Sequence, residues 1–491
     1  MQNPLHFYTD IKIKKLMSTV NKIITRIYRI GTGDCIALQF MAGQEVTFKM
    51  LIDCGACQGD KKRFKSFAEE IENFMGGHLD LLVVTHEHFD HIIGFARAHD
   101  VFKNFTIDNV WLAWTEDPDN KVAKELSDKW GEEIKALRMA TKAIRKDVDK
   151  LSSKSRSFGA KNYFLNSLTG LTELYFSSSE IFSASGNQTE MEKAMSWVKG
   201  LRNIHYCYPG KLGPKLKGTE GIRFYFLGPP EDAKAIMTDE IKDDLYEHNN
   251  KTHRVSNFVE ALDNLGTNRE SISPFDNEFI IKDAKEIRKF KAKNLGKQNE
   301  LQSIENDWLY SAGELGLRLE KSINNTSLAM AIEFIESGKV LLFPGDAQSG
   351  NWKSWHDTKK VKWKVDVDGK KQTVFAKDLL ERTVLYKVGH HCSHNGTASQ
   401  SGLELMTSDE LVALIPLDTN IIKSGWLSTM PTKALYKRLA EKTKGRMFRL
   451  DEGLDQTMGK NYRKKLTSQE AKDFNKSYKI EDKYIEYEVN V

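Results

Sequence analysis

The chain has 491 residues, of which 40% are hydrophobic and 10% aromatic, and its formal net charge is +5. At about 100–200 residues per domain this length fits roughly two to four domains or one large elaborated one, and the composition excludes a disordered chain. So small a basic excess does not by itself imply nucleic acid, and the local runs at Lys142–Lys150 and Lys460–Lys465 read as solvated helix faces.

Residues 1–20 form a polar, Lys-rich extension without the apolar core of a signal peptide, and Met17 is an alternative start. Ile23–Ile30 and Cys35–Phe40 are β-rich and are separated by the turn composition Gly31-Thr32-Gly33-Asp34. Val46–Ile52 is a third strand, ending at Asp53 and Gly55. Lys61–Met75 spaces Phe64, Phe67, Ala68, Ile71, Phe74 and Met75 as a helix does, and Gly76-Gly77 ends it. Leu79–Val84 is an uninterrupted apolar strand, as expected when both faces are buried.

From about Trp114 to Lys321 the character changes. Lys121–Lys150 is a long charged helical pattern, Ile222–Leu227 is a clear strand, and Glu231–Gly316 reads mostly as charged helix with loops. The pattern predicts a large insertion over 116–321, mainly helical, between core segments at 21–115 and 322–491. Core-like sequence returns with strands at Ser327–Ile335, Val340–Phe343, Thr383–Val388 and Leu411–Pro416 and a helix at Pro431–Lys442. Strands and helices alternate, so the class is α/β or α+β.

The five cysteines, Cys35, Cys54, Cys57, Cys207 and Cys392, are too few and too scattered for a disulfide framework. Cys54 and Cys57 form one CxxC, but a structural zinc site would need a second pair, so both read as small residues at a strand end. No stretch reaches the roughly 18 apolar residues of a membrane span. A cytoplasmic protein is the expectation.

The sharpest chemical signal is Thr85-His86-Glu87-His88-Phe89-Asp90-His91, directly after a buried strand. On an extended loop His86 and His88 share a face, because alternate side chains do. Asp90 and His91 then turn toward a neighbouring position, so one loop supplies two adjacent cation positions. Imidazole and carboxylate suit Zn, and also Mn or Fe. A second apolar strand ends in Pro344-Gly345-Asp346, and a third in Gly389-His390-His391-Cys392-Ser393-His394. Each alone is a common turn; three strand ends delivering His and Asp form a constellation.

This set resembles the metallo-β-lactamase superfamily. Gly31-Thr32-Gly33-Asp34-Cys35, Leu51-Ile52-Asp53-Cys54-Gly55, Asn324-Asn325-Thr326-Ser327-Leu328 and the double histidine of Gly389–Ser393 are similar to the branch typified by the hydrolase domain of the DNA-uptake (competence) channel protein. The motifs span roughly residues 20–115 and 322–450, with the middle unmatched. The resemblance implies a four-layer αββα sandwich with the metal site at one edge of the paired sheets. It also implies that His86 and His88 hold a first cation, that Asp90, His91 and His391 hold a second, and that Asp346 bridges. One or two zinc ions are expected, with Mn an alternative. The alignment puts His391 on the ligand, which leaves His390 to support the ligands or face the substrate. The fourth histidine usual in the superfamily falls here on Asn324-Asn325. Asn325, or His205, His248 or His253 of the insertion, would then complete the first site. Cys392 stands where the branch has glycine, as a neutral swap or a substrate contact.

A bound cation lowers the pKa of its water to about 7, and two cations about 3.5–4 Å apart can hold nucleophile and oxyanion together. Asp90 or Asp346 would orient the water, and Asp53 belongs to the same supporting set. His394, Ser393 and Asn395 are placed to contact an oxyanion or protonate a leaving group. Phosphodiesters, as nucleic acid or nucleotide, are the leading substrate class. The resemblance favours them, and Trp111, Trp114, Trp130, Tyr163 and Phe164 are candidates for stacking bases. The alternatives are a small ester, amide or phosphorylated metabolite, or an effector switched on by a protein partner docked on the insertion.

Overall fold

The computed structural model describes residues 19–150, 156–182, 188–237, 244–246, 304–367, 369–421 and 430–491, with 283, 285, 286 and 288 as isolated positions. Residues 1–18, Met17 among them, lie outside this set, as do His248 and His253. The chain divides into two compact units. The larger draws on Met1–Lys124, Gln188–Asn249 and Lys321–Val491, and the smaller on Glu125–Asn187 and Asn250–Glu320.

Two sheets build the larger unit. The first orders its strands Tyr478–Ile480, Tyr484–Asn490, Lys22–Tyr28, Ile36–Ala42, Glu45–Ile52, Leu81–Val84, Val110–Ala113 and Ile204–Cys207. The second runs Gly453–Leu454, Met447–Arg449, Val412–Ile415, Thr383–Lys387, Val340–Phe343, Ala329–Phe334 and Ile222–Gly228. Each mixes an antiparallel meander with a parallel stretch. Leu81–Val84 pairs parallel with Glu45–Ile52 and with Val110–Ala113. Thr383–Lys387 pairs parallel with Val340–Phe343 and with Val412–Ile415.

Alternation along these strands sends one set of apolar side chains between the sheets and the other set outward. Ile23, Phe40, Met50, Leu81 and Trp111 of the first sheet meet Phe224, Met330, Leu341, Leu385 and Phe448 of the second in one buried cluster. On the outer face of the first sheet, Leu51, Leu82 and Leu112 pack on Ile71, Ile93 and Met195 of the helices Lys61–Met75, Phe89–Arg97 and Glu190–Lys199. On the outer face of the second, Leu342, Tyr386 and Ala413 pack on Trp352, Leu379 and Leu439 of the helices Ser349–Ser354, Ala376–Glu381 and Lys433–Lys442. The layers are therefore α, β, β, α.

Local sequence explains the helix ends. Asp60 accepts a hydrogen bond from Arg63 N at 2.8 Å, and Gly76 closes Lys61–Met75 at φ 65°. Thr189 and Glu192 form a reciprocal capping box on Glu190–Lys199.

The smaller unit is helical among its described residues. It takes in most of Lys121–Asp149 and Ile304–Asn324, together with Arg156–Thr172 and Ser178–Phe182. Leu137, Ile144, Leu168 and Leu315 are buried there, and the Thr141 and Thr172 hydroxyls bond at 2.8 Å.

Residues 188–249, expected inside the insertion, group with the larger unit. Ile204–Cys207 adds a parallel edge strand beside Val110–Ala113, and Ile222–Gly228 pairs antiparallel with Ala329–Phe334. The hairpin Trp363–Val367 and Lys370–Val374 was not anticipated. The proposed base-stacking role of Trp111, Trp114 and Trp130 is corrected, since all three are buried. Trp111 packs edge-on against Phe224 and Phe226 at 5.1 and 5.2 Å, and Trp114 donates its indole N–H to Pro229 O at 3.1 Å. The side chains of Tyr163 and Phe164 lie outside the described residues.

Candidate metal centre

Three strand ends converge. Leu81–Val84 leads into His86, His88 and the helix Phe89–Arg97, which carries Asp90 and His91 in its first turn. Val340–Phe343 leads into Gly345 and Asp346, and Thr383–Lys387 into the turn Gly389–Cys392. The sheets are joined at this edge by Leu328 N donating to Thr85 O at 2.9 Å. Close approach demands glycine at Gly55, where a Cβ would collide with the Asp90 carbonyl carbon and the His91 amide nitrogen.

Asp90, His91, Asp346 and His391 are all buried, and their ligand atoms lie within 4.8 Å of one another. His391 Nε2 is 2.8 Å from Asp90 Oδ2 and 3.2 Å from Asp346 Oδ2, and His91 Nε2 is also 3.2 Å from Asp346 Oδ2. Asp90 Oδ1 and His91 Nε2 are buried without a hydrogen-bond partner. Buried polar atoms left unsatisfied are costly in a folded protein. A divalent cation satisfies them, so the residues fit one.

The far sides of both imidazoles support this reading. His391 Nδ1 meets Pro416 O at 2.9 Å, and a carbonyl only accepts, so Nδ1 carries the proton and Nε2 faces the cluster. His91 Nδ1 likewise meets the Asp53 carboxylate at 2.8 Å. Asp53 also accepts from Thr85 N at 2.7 Å and from the Thr85 hydroxyl at 2.6 Å. It thus orients a candidate ligand rather than facing a substrate.

Electrostatics tie the group together in the absence of a cation. Burial disfavours the His391 imidazolium, but Asp346 and Asp90 outweigh it and lift the group to about 10. The same opposition between burial and the neighbouring carboxylates, Asp346 first, raises His91 well above its ordinary value. Burial works against the Asp90 carboxylate, while His91 and His391 hold it well below the usual range; Asp346 is depressed in the same way, by His391, Lys387 and His91. A cation entering here displaces protons from the imidazoles.

Sequence reasoning missed Lys387. Its ammonium is buried, 2.5 Å from Asp34 Oδ2 and 3.1 Å from Asp346 Oδ1. Burial opposes its charge, yet Asp34 and Asp346 hold it charged above the ordinary lysine range. Asp34 stands in a motif singled out in the sequence, but a paired buried lysine had no signal of its own.

His86 and His88 lie beside this cluster, with the His86 ring centroid 4.1 Å from that of His91. His86 Nε2 lies 3.0 Å from His88 Nδ1, and His86 Nδ1 lies 3.1 Å from the Thr85 hydroxyl and 3.3 Å from the Ser327 hydroxyl. Among the described residues, neither belongs to a group of three or more His, Cys, Asp or Glu side chains whose ligand atoms all lie within 4.8 Å of one another. Asn325 does not fill the gap. Its amide donates to Ile236 O at 3.1 Å and its side-chain oxygen accepts from Asn351 N at 3.2 Å, so both ends are used in packing. His205 packs in the aromatic cluster, 6.3 Å from Trp111 and 6.2 Å from Phe226. Glu87, between the two histidines, lines a cleft with Met191, Glu192 and Lys199 that holds none of the cluster residues.

The turn after Thr383–Lys387 is strained. His390, His391 and Cys392 take φ of 44°, 51° and 64°, a run that costs of order 1–3 kcal/mol per residue and persists only where the surroundings enforce it. It presents His391 to the cluster and sends Cys392 into the apolar layer behind the second sheet, so Cys392 does not face a substrate. His390 Nδ1 contacts the Ser393 hydroxyl at 2.7 Å and Asn395 Oδ1 at 3.1 Å, and its backbone N donates to Asp346 Oδ1 at 3.1 Å. Ser393 and Asn395 are buried beside it, while His394 is partly exposed.

Residues 34–140 match the family model described as the metallo-beta-lactamase superfamily. The comparison with curated proteins finds no match. The comparison with solved structures finds none either. No helix among the described residues is long and apolar enough to cross a membrane. The matched segment contains His86, His88, Asp90 and His91, and its likeness to the superfamily, with the cluster, supports a metal-dependent hydrolase.

Proposed function

We propose that the chain is a metal-dependent phosphodiesterase acting on nucleic acid or a nucleotide. The observation that carries the reading is the buried cluster of Asp90, His91, Asp346 and His391, whose ligand atoms lie within 4.8 Å of one another and of which Asp90 Oδ1 and His91 Nε2 have no hydrogen-bond partner. Those four residues would hold one cation, and His86 and His88 would contribute to a second beside it, shared through Asp346. A divalent cation held there supplies Lewis acidity that activates water and stabilises charge on a phosphoryl oxygen. Zinc suits this mixed imidazole and carboxylate set, and Mn is the alternative.

The chain's own groups do the rest. Asp53 and the Pro416 carbonyl fix the ring orientations of His91 and His391. Asp90 would orient the water as well as help to hold the cation. His394, on the partly exposed loop past the cluster, is the candidate for protonating the leaving oxygen, with Ser393 and Asn395 holding the adjacent His390 in place. Because Trp111, Trp114 and Trp130 are core residues, base stacking gives no support to a polymer over a nucleotide.

The test is hydrolysis of bis-p-nitrophenyl phosphate and of single- and double-stranded DNA and RNA with Zn²⁺ or Mn²⁺, against an Asp90→Ala/His91→Ala control. Metal-dependent cleavage that disappears in the control is expected. Stoichiometric metal binding with no phosphodiester cleaved would reject the substrate class and leave a hydrolase of small esters or amides, or one that needs a partner.

A further inference from the structure

Lys387 is 1% exposed at its side chain, whereas most lysines among the described residues reach solvent. A buried ammonium persists only when its donors are matched. Here Nζ meets Asp34 Oδ2 at 2.5 Å, Asp346 Oδ1 at 3.1 Å and Gly345 O at 2.9 Å, which accounts for its three protons. The partners come from two further segments, the turn after Lys22–Tyr28 and the end of Val340–Phe343.

The consequence falls on Asp346. Its Oδ1 takes Lys387 Nζ and the backbone N of His390, both at 3.1 Å. Its Oδ2 takes neither of these and lies 3.2 Å from the Nε2 atoms of both His91 and His391. A carboxylate with two open oxygens can bind a cation through either or both. This one is divided, with one oxygen turned to the protein and the other to the cluster.

We propose that Lys387, clamped by Asp34, is a positioning residue that restricts Asp346 to a single metal-facing oxygen, Oδ2. The inference rests on the metal reading above and adds to it a device that sets how many donor atoms the cluster offers. Lys387 touches neither cation nor substrate; it acts through Asp346.

Metal-free wild type is titrated with Co²⁺, and the visible absorption per bound ion is compared with that of Asp34→Asn/Lys387→Met. The double variant removes one negative and one positive charge together, so the net charge of the site is unchanged and Asp34 is not left uncompensated. With the ammonium gone, Oδ1 keeps only the backbone N–H of His390 and can turn to the cation as an added donor, so the variant is expected to bind Co²⁺ with a higher coordination number and weaker visible absorption per ion. An unchanged spectrum overturns the proposal while leaving the metal reading intact. A wild type that takes up no Co²⁺ overturns the metal reading itself. A crystal structure of zinc-loaded wild type gives the same decision without a variant. Asp346 Oδ2 alone is expected at a bonding distance of about 2.0–2.2 Å, with Oδ1 still on Lys387; both oxygens on the metal would sink the proposal.

Discussion

Asp53 occupies the left-handed region at φ 55°, an unusual conformation for a residue with a side chain, and it spends both carboxylate oxygens on Thr85 and His91. As an acceptor it keeps a proton of His91 on Nδ1, so that the nitrogen a cation can take is Nε2, once its own proton is displaced. Asp53→Asn replaces one acceptor by a donor amide. Turned toward His91, that amide favours the other tautomer and puts a proton where the cation would bind. Metal affinity is expected to fall about 10–100-fold, read by competition with a chelator, with the metal-free melting temperature much less affected. Unchanged affinity would mean that Asp53 does not orient the ligand. The histidine-rich loop was legible because its residue types and spacing carry the chemistry. Asp53 was legible only as a member of a motif. Lys387 was not, since a lysine on a strand reads as an exposed one until its carboxylate partners are placed.

Secondary elements divide along the same line. Leu81–Val84, Val340–Phe343 and Thr383–Lys387 are apolar, buried on both faces and readable as strands. Ile204–Cys207 is a four-residue edge strand, three of whose residues are only partly buried, and its sequence lacks that pattern. Its membership depends on pairing with Val110–Ala113, a tertiary fact. At the far edge of the second sheet, Asp455 holds the turn after Gly453–Leu454. It accepts hydrogen bonds from Thr457 and Met458, both at 2.9 Å, and from Tyr436 and Gly459. Burial pushes its carboxyl up, but these donors, Tyr436 first, bring it below the usual 3.8. Below about pH 4 the unfolded chain therefore binds more protons than the folded one. The contribution is full above that point and is lost as pH falls through the folded value. Melting temperature measured from pH 3 to 7 should drop at the acid end. Asp455→Asn should shrink that acid slope while costing about 1–3 kcal/mol at neutral pH. An undiminished slope in the variant would place the acid sensitivity elsewhere, with Asp451, also depressed, the next carboxylate to test.

At the scale of the whole molecule, the αββα arrangement of the larger unit brings together strand ends that lie far apart in sequence. Glu45–Ile52 and Leu81–Val84 of one sheet, and Val340–Phe343 and Thr383–Lys387 of the other, all open their C-terminal ends on the same edge, where Asp53, His86 to His91, Asp346 and His391 collect. The layer order was readable from the alternation of apolar strands and amphipathic helices together with the family resemblance. Within the expected insertion Ile222–Leu227 was readable as a strand, while Ile204–Cys207, set in charged helical sequence, was not. The central claim is that this edge holds a divalent cation on Asp90, His91, Asp346 and His391. The most direct measurement is the metal content of wild type and of Asp346→Ala/His391→Ala after equilibration with micromolar Zn²⁺ and gel filtration. At least one equivalent retained by wild type, and at least one fewer by the variant, is the predicted result. Wild type eluting metal-free, or a variant that keeps the same stoichiometry, would contradict the account.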